Sequence, residues 1–401
     1  MRLINTTTLE LDEFFDSNTP KYAILSHRWE TDEITFQDFQ KGRRKGAAGY
    51  KKVMKFCAKA SQEGHQWVWV DTCCIDKKSS AELSEAINSM FRWYKNAAVC
   101  YAYLSDVRIT GDKRDSLPQI LGFEQSKWFT RGWTLQELLA PKRVVFLDCN
   151  WDTFGTKETL VDKVSMITGI EQSYLMSNFF ITLPGHVSVA EKMSWASKRI
   201  TSRAEDMAYC LLGIFDINMS LLYGEGIKAF LRLQRKIIKA GNDMSVFAWD
   251  ASAPQLPYFV RVFAFSPAYF SSAGDIWQLN RLTFVLKTDV YQSFARSLYS
   301  NTHKGLQVDA HLGSCSDPML GTNGPKDFEK DDRLWVLSCG RAERHNPTEL
   351  RLCAMVITLV DKDNCTWRRR GGERGKLYFL RLDAVVRGFT RLERGRIYIE
   401  I

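Results

Sequence analysis

The first 155 or so residues of this 401-residue chain predict an α/β domain, a parallel sheet with flanking helices. Three observations carry that expectation. Four short runs are apolar almost throughout, as strands covered on both faces should be; amphipathic helical stretches separate them; and a proline ends the last helix just before the fourth run. A helical module is expected at 156–250 and a β-rich module at 251–401.

The strand-like runs are Tyr22 to Ser26, Trp67 to Asp71, Val99 to Leu104 and Val144 to Asp148. Between the first two, Val53, Phe56, Cys57 and Ala60 recur at helical spacing and form one apolar stripe. Between the second and third, Leu83, Ile87, Met90, Phe91 and Tyr94 form a longer stripe, preceded by a Ser79-x-x-Glu82 capping box. A shorter helix is predicted from about Gly132 to Ala140, because Pro141 cannot continue it and restricts the residue before it.

Strands alternating with helices imply right-handed crossovers, a parallel sheet, and ligands beyond the carboxyl ends of the strands. That rule nominates Ser26, His27, Arg28 and Trp29 after the first strand, Asp71 after the second and Ser105 after the third. Trp133 and Glu137, four apart, share a face of the helix that follows, with the carboxylate near its positive N-terminal end.

Further helices are expected at 203–215 and 227–239, with Tyr223-Gly224-Glu225-Gly226 as the turn between them. After Asp250, the runs LTFVLKT, LWVLSC, LCAMVITLV, LYFLRL and RIYIEI are separated by Gly, Asn, Asp and Pro clusters. They predict a β-rich module ending in an edge strand, with Gly321 to Asp332 as a loop.

The net charge of +9 concentrates at 41–52 and 367–376 and reads as solvated basic faces. Ten cysteines, with no C-x-x-C pair and no histidine at metal spacing, read as reduced core thiols, so no metal site is expected. No run of eighteen apolar residues occurs and the start lacks a signal-peptide pattern, so a cytoplasmic protein without a transmembrane segment is expected. Phosphate-loop, dinucleotide-fold, nucleophile-elbow and H-E-x-x-H motifs are missing, which disfavours P-loop hydrolases, dehydrogenases, esterases and zinc peptidases. Nucleic-acid-binding signatures are missing as well, so no specific nucleic acid is expected as a partner.

The segments YAILSHRWE (22–30), WVWVDTCCID (67–76), SEAINSMFRWYKNA (84–97) and RGWTLQELLAP (131–141), in this order and spacing, closely resemble the heterokaryon-incompatibility (HET) domain of filamentous fungi. The resemblance continues through WASKRITSRAEDMAYCLLGIF, LLYGEGIKAFLRLQ and DMSVFAWD. The HET domain in turn looks like a divergent TIR domain, which implies a flavodoxin-like, TIR-like sheet. YAILSHRWE resembles the first TIR strand and its loop, and LSEAINSMF the helix carrying E-L-x-x-A-I. WTLQEL, from Trp133 to Leu138, resembles the W-x-x-x-E-L segment in which NAD-cleaving TIR domains hold their catalytic glutamate.

That resemblance implies a cell-death effector in nonself recognition, an innate-immunity role, with Glu137 as the catalytic residue of an NAD glycohydrolase. NAD, or a related nucleotide, is then a substrate rather than a bound prosthetic group. Breaking the nicotinamide–ribose bond builds oxocarbenium character, which one carboxylate can stabilise, and nicotinamide leaves as a neutral molecule. Arg28 is the candidate for the pyrophosphate, Ser26 for a hydroxyl donor, and Trp29 and Trp133 for an aromatic wall, with His27 and Asp71 beside them. Glu85 and Ser105 are secondary candidates. Self-association through the N-terminal domain and an upstream receptor or regulator protein are the expected partners. The alternative is a non-enzymatic self-assembly module, because His27 and Trp29 depart from the TIR loop pattern and would occlude a nucleotide site.

Overall fold

The computed structural model describes residues 1–15, 18–110, 119–176, 187–252, 256–257, 259–278, 299–302, 305–314, 329, 331–343, 346–361, 366–370, 378–381 and 393–399. The chain divides into two compact units, Met1–Thr182 with Arg199–Gly224, and Leu183–Lys198 with Glu225–Ile401. Residues 156–250, expected as one helical module, are therefore shared between both.

Among the described residues, the first unit holds nine strands: β1 (Arg2–Asn5), β2 (Leu11–Glu13), β3 (Ala23–His27), β4 (Trp67–Trp69), β5 (Val99–Tyr103), β6 (Arg108–Thr110), β7 (Gln119–Leu121), β8 (Val144–Leu147) and β9 (Thr153–Thr156). Seven of them form one sheet in the order β2-β1-β4-β3-β5-β8-β9, while β6 and β7 make a separate hairpin. The four strands anticipated from apolar runs are the central four, and all are mutually parallel. Their order, second-first-third-fourth, is that of a doubly wound flavodoxin-like sheet. Every residue of β3 is buried, and each large apolar side chain so covered contributes about 1.5–3 kcal/mol.

The α/β architecture is thus present, but the sheet is mixed rather than wholly parallel. β1 and β2 add antiparallel pairings on one side and β9 on the other. These strands are three or four residues long and carry Arg2, Asn5, Asp12, Glu13 and Thr153, so no apolar run betrayed them.

The helices of this unit are α1 (Phe36–Gln40), α2 (Ala48–Gln62), α3 (Ser80–Asn96), α4 (Thr134–Leu139), α5 (Val161–Thr168) and α6 (Gln172–Met176). α2 buries the expected stripe of Val53, Phe56, Cys57 and Ala60, and the Phe56 ring meets Tyr101 of β5 edge-on at 5.8 Å. At the start of α3 the capping box is half made. Ser79 Oγ accepts from the Glu82 N–H at 3.3 Å, but the Glu82 carboxylate accepts from the Asp76 N–H at 2.7 Å and pairs with Arg2 instead.

The helix expected at 203–215 shrinks to Asp206–Tyr209. Cys210, Leu211 and Leu212 are all buried in succession, a pattern no single-faced surface helix allows. Gly213 follows because the chain touches α3 there; an added Cβ would lie 2.0 Å from the Phe91 Cβ.

In the second unit the described strands are β10 (Phe259–Val260), β11 (Trp277–Gln278), β12 (Tyr299–Thr302), β13 (Gly305–Ser314), β14 (Asp332–Glu343), β15 (Asn346–Asp361), β16 (Thr366–Arg370), β17 (Tyr378–Arg381) and β18 (Glu393–Ile399). They join one sheet with the path β10-β16-β18-β13-β14-β15-β17, and Leu334, Trp335, Leu337, Met355 and Ile357 are buried in it. The β-rich expectation holds, with one correction: β18, read as an edge strand, lies between β13 and β16 and pairs with both. Alternating side chains set which face a residue occupies, not how many neighbours its strand has. The run LTFVLKT and most of the loop anticipated at Gly321 to Asp332 lie outside the described residues. Helices Val189–Ala196 and Lys228–Ala240 also belong to this unit. Among the described residues, no helix is long and apolar enough to cross a membrane.

Candidate functional site

Within the first unit, a cavity of about 290 Å³ is lined by the end of β3 and the residues after it, by the residues that follow β4, by one face of α3, by the start of α4, and by Ser202, Arg203, Asp206 and Tyr223. Its position follows from the topology, since the carboxyl ends of parallel strands leave a crevice outside the sheet.

The short helix α4 is fixed at both ends. At its start, the Gly132 N–H donates to the Ile200 carbonyl at 2.9 Å and the Ile200 N–H to the Thr130 carbonyl at 2.7 Å. Buried Arg199 donates through Nη1 to the Arg131 carbonyl at 2.8 Å and to Thr134 Oγ1 at 2.9 Å. At its end, Lys157 Nζ donates to the Pro141 carbonyl at 2.9 Å, placing a cation where helix carbonyls are left over. Burial pushes that ammonium down to about 8.

Glu137, 7% exposed, is thereby held against the sheet, where Ser26 Oγ donates to Glu137 Oε2. Ser26 in turn accepts from Trp128 Nε1 at 2.9 Å, so its own proton is directed at the carboxyl. Burial pushes the Glu137 carboxyl up to about 8; the Ser26 hydrogen bond opposes this, the Asp71 charge reinforces it, and Arg131 and Arg199 oppose it. At neutral pH the group is mostly protonated. No described residue hydrogen-bonds Oε1, which leaves that oxygen to carry the proton in a side chain that lines the cavity.

His27 lines the same cavity and is neutral, because burial and the nearby Lys52 charge push its imidazole down to about 3. Its Nδ1 is 3.9 Å from Asp71 Oδ1 and its Nε2 is 3.7 Å from Glu33 Oε1. Asp71 also accepts from Trp29 Nε1 at 2.8 Å. Lys77 Nζ lies 3.5 Å above the centre of the Trp29 ring, and burial lowers its pKa.

Six of the anticipated residues therefore converge: Ser26, His27, Trp29, Asp71, Trp133 and Glu137. Three do not. Arg28 is exposed and lines no part of the cavity, so the pyrophosphate contact assigned to it has no support in the geometry. Glu85 is exposed on α3, two positions from both Leu83 and Ile87, which line the cavity, and hence off their face. Ser105 is exposed in the turn after β5.

Sequence reasoning missed the other half of the wall. The α3 stripe read as core packing lines the cavity through Leu83, Ile87, Met90 and Tyr94. Lys77, Arg131, Ser202, Arg203, Asp206 and Tyr223 complete it. Asp206 accepts from the Tyr223 hydroxyl at 2.9 Å, and burial raises its pKa. The blocks RGWTLQELLAP and RAEDMAYCLLGIF contain several of these residues, yet nothing in their spacing joins Arg131 to Arg203.

Residues 22–119 match the family described as Heterokaryon incompatibility protein (HET). Over 231 residues the chain is 47% identical to vegetative incompatibility protein HET-E-1 of Podospora anserina, a match that covers 55% of this chain and 16% of that relative's length. No solved structure matches the chain. The segment that matches the HET family, residues 22–119, runs from β3 through β6 and carries the strand ends, His27 and Asp71 on which the cavity is built.

Proposed function

We propose that the cavity binds a nicotinamide nucleotide, NAD or a close relative, and that Glu137 is the catalytic carboxylate that cleaves its nicotinamide–ribose bond. The reaction is the effector step of a cytoplasmic cell-death response in nonself recognition, in keeping with the vegetative-incompatibility name of the relative. One observation carries the reading: a buried carboxyl at the carboxyl edge of a parallel sheet, with one oxygen fixed by Ser26 and the other unengaged in a side chain that lines a cavity. The W-x-x-x-E-L likeness to NAD-cleaving TIR domains supports the same residue.

The elevated pKa fits a cationic substrate. A bound pyridinium offsets the desolvation that keeps Glu137 neutral and draws it into the ionised form. The carboxylate then faces the ribose as oxocarbenium charge develops and neutral nicotinamide departs. A volume near 290 Å³ lies at the small end of ligand pockets, about 300–1,000 Å³, and has room for a nucleoside-sized half of the ligand.

The test is to incubate concentrated, purified chain with NAD and follow nicotinamide by chromatography. Release is expected from the native chain and a loss of at least about 100-fold from Glu137→Ala. Absence of release under conditions that promote self-association, or equal release by the variant, removes the catalytic assignment.

A second reading, a non-enzymatic self-assembling module acting through a receptor or regulator, is favoured by the Trp29 cluster. Lys77 already covers the indole face and Asp71 holds its N–H, so one expected aromatic wall is occupied. That reading fails if Glu137→Ala folds and assembles normally but loses both NAD consumption and toxicity.

A further inference from the structure

Arg28 does not reach the cavity, yet two other guanidinium groups do, and neither is in a close ion pair with a described residue. Among the described residues, Arg131 makes one side-chain hydrogen bond, to neutral Ser202 Oγ at 3.2 Å, and no ion pair. The Arg203 guanidinium makes neither; it lies 4.5 Å from the centre of the Tyr223 ring, which acts as a plate beneath it. That ring is held in turn by the hydrogen bond from its hydroxyl to Asp206. Both arginines line the same cavity as Glu137.

Their depths differ. Glu137 is almost wholly buried, Arg131 is half-buried and Arg203 is exposed, so the wall runs from a carboxyl inside to two guanidinium groups nearer the solvent, with Asp206 close enough for its charge to feel Arg203 but not ion-paired to it. Planar forked donors with no carboxylate partner match phosphate oxygens. A ligand complementary to the whole wall is cationic at one end and anionic at the other, about a nucleoside in length. A pyridinium mononucleotide has that form.

We infer that Arg131 and Arg203 form a phosphate subsite at the mouth of the cavity, so that the minimal ligand is the nicotinamide mononucleotide half and its 5′-phosphate is the feature recognised. This rests on the nicotinamide-nucleotide reading of the cavity and deepens it. One consequence is that the segment Arg199–Gly224, which lies beyond the matched HET segment, is part of the ligand site rather than a separate module. It supplies Arg203 and Tyr223 directly, and through Arg199 and Ile200 it also anchors the helix that carries Glu137.

The experiment titrates the full chain with nicotinamide riboside, nicotinamide mononucleotide and NAD, using calorimetry, and repeats the series with Arg131→Ala, Arg203→Ala and Arg203→Lys. The native chain is expected to bind the mononucleotide at least about 10-fold tighter than the riboside, with binding weakened by salt. Each alanine variant should lose about 10-fold for the mononucleotide and for NAD and leave riboside binding unchanged, while Arg203→Lys loses less than Arg203→Ala. Equal binding of riboside and mononucleotide by the native chain, or variants that weaken both ligands equally, overturns the phosphate subsite and leaves the nicotinamide reading standing. A native chain that binds none of the three overturns that reading, and the subsite with it. Melting curves of each variant separate loss of the contact from loss of the fold.

Discussion

Among the described residues of the first unit, two buried carboxyl groups, Asp148 and Glu137, are satisfied in opposite ways. Asp148, fully buried just after β8, accepts at Oδ1 from the N–H groups of Asn150 and Asp152, at 2.8 and 3.0 Å, and at Oδ2 from the Ile109 N–H at 3.2 Å. Its charge is spent on holding the turn between β8 and β9 and on tethering β6. Glu137 accepts from one hydroxyl, and its second oxygen has no described partner. Burial alone does not mark a functional acid. A saturated carboxylate shapes the backbone; an unsaturated one retains capacity for a ligand.

The sharpest way to break this distinction is to neutralise each group. Glu137→Gln should abolish nicotinamide release by at least about 100-fold and yet stabilise the chain at alkaline pH. With a folded value of about 8 against an unfolded value near 4.5, the unfolded chain gives up its proton first as pH rises. Stability therefore falls between those two values and is level above the higher one. Removing the group should recover roughly 2–4 kcal/mol at pH 8 and nothing at pH 4, read from urea unfolding. Asp148→Asn should cost about 2–3 kcal/mol at pH 8, because an amide presents a donor to backbone N–H groups that need an acceptor. If both substitutions destabilise equally at pH 8, the contrast is lost.

A smaller effect tests the one donor Glu137 has. The Ser26 hydroxyl favours the ionised carboxyl, so Ser26→Ala should raise the Glu137 pKa further and move the activity profile to higher pH, with about 10-fold less activity at pH 7. It also leaves the Trp128 indole N–H without its acceptor, a loss of about 1–2 kcal/mol in unfolding experiments. An unchanged profile would mean that Ser26 does not tune the acid.

The central strands, the α2 stripe and the α3 stripe were legible because apolar periodicity reports directly on burial. The edge strands β1, β2 and β9 were not, since a strand of three or four residues with polar side chains carries too few positions for a period to show. At the site, the strand-end rule found Ser26, His27, Trp29 and Asp71 but overreached at Arg28, because β3 ends at His27 and the loop sets the direction of whatever follows. The spacing itself disqualified Glu85, two residues off a stripe that turned out to line the cavity. Arg131 and Arg203 were invisible as a pair: they meet through the Gly132–Ile200 pairing, a contact between segments roughly 70 residues apart that no local pattern encodes.

The smallest effect comes from setting the buried acid against the buried base that lines the same cavity. His27 is held neutral down to about pH 3, while an unfolded histidine takes up its proton near 6.5. In that interval the unfolded chain binds more protons, so stability contributed by His27 rises with pH. The Glu137 contribution falls with pH from 4.5 upward, and the two slopes cancel between about 4.5 and 6.5. Together they give a plateau bounded by an acid limb that belongs to His27 and an alkaline limb that belongs to Glu137. His27→Gln should therefore gain roughly 1–2 kcal/mol at pH 4 relative to the native chain, lose the plateau, and keep the alkaline limb. Glu137→Gln should do the reverse. If His27→Gln leaves the acid limb where it was, the imidazole is protonated in the folded chain and the cavity holds one more cation than its geometry indicates.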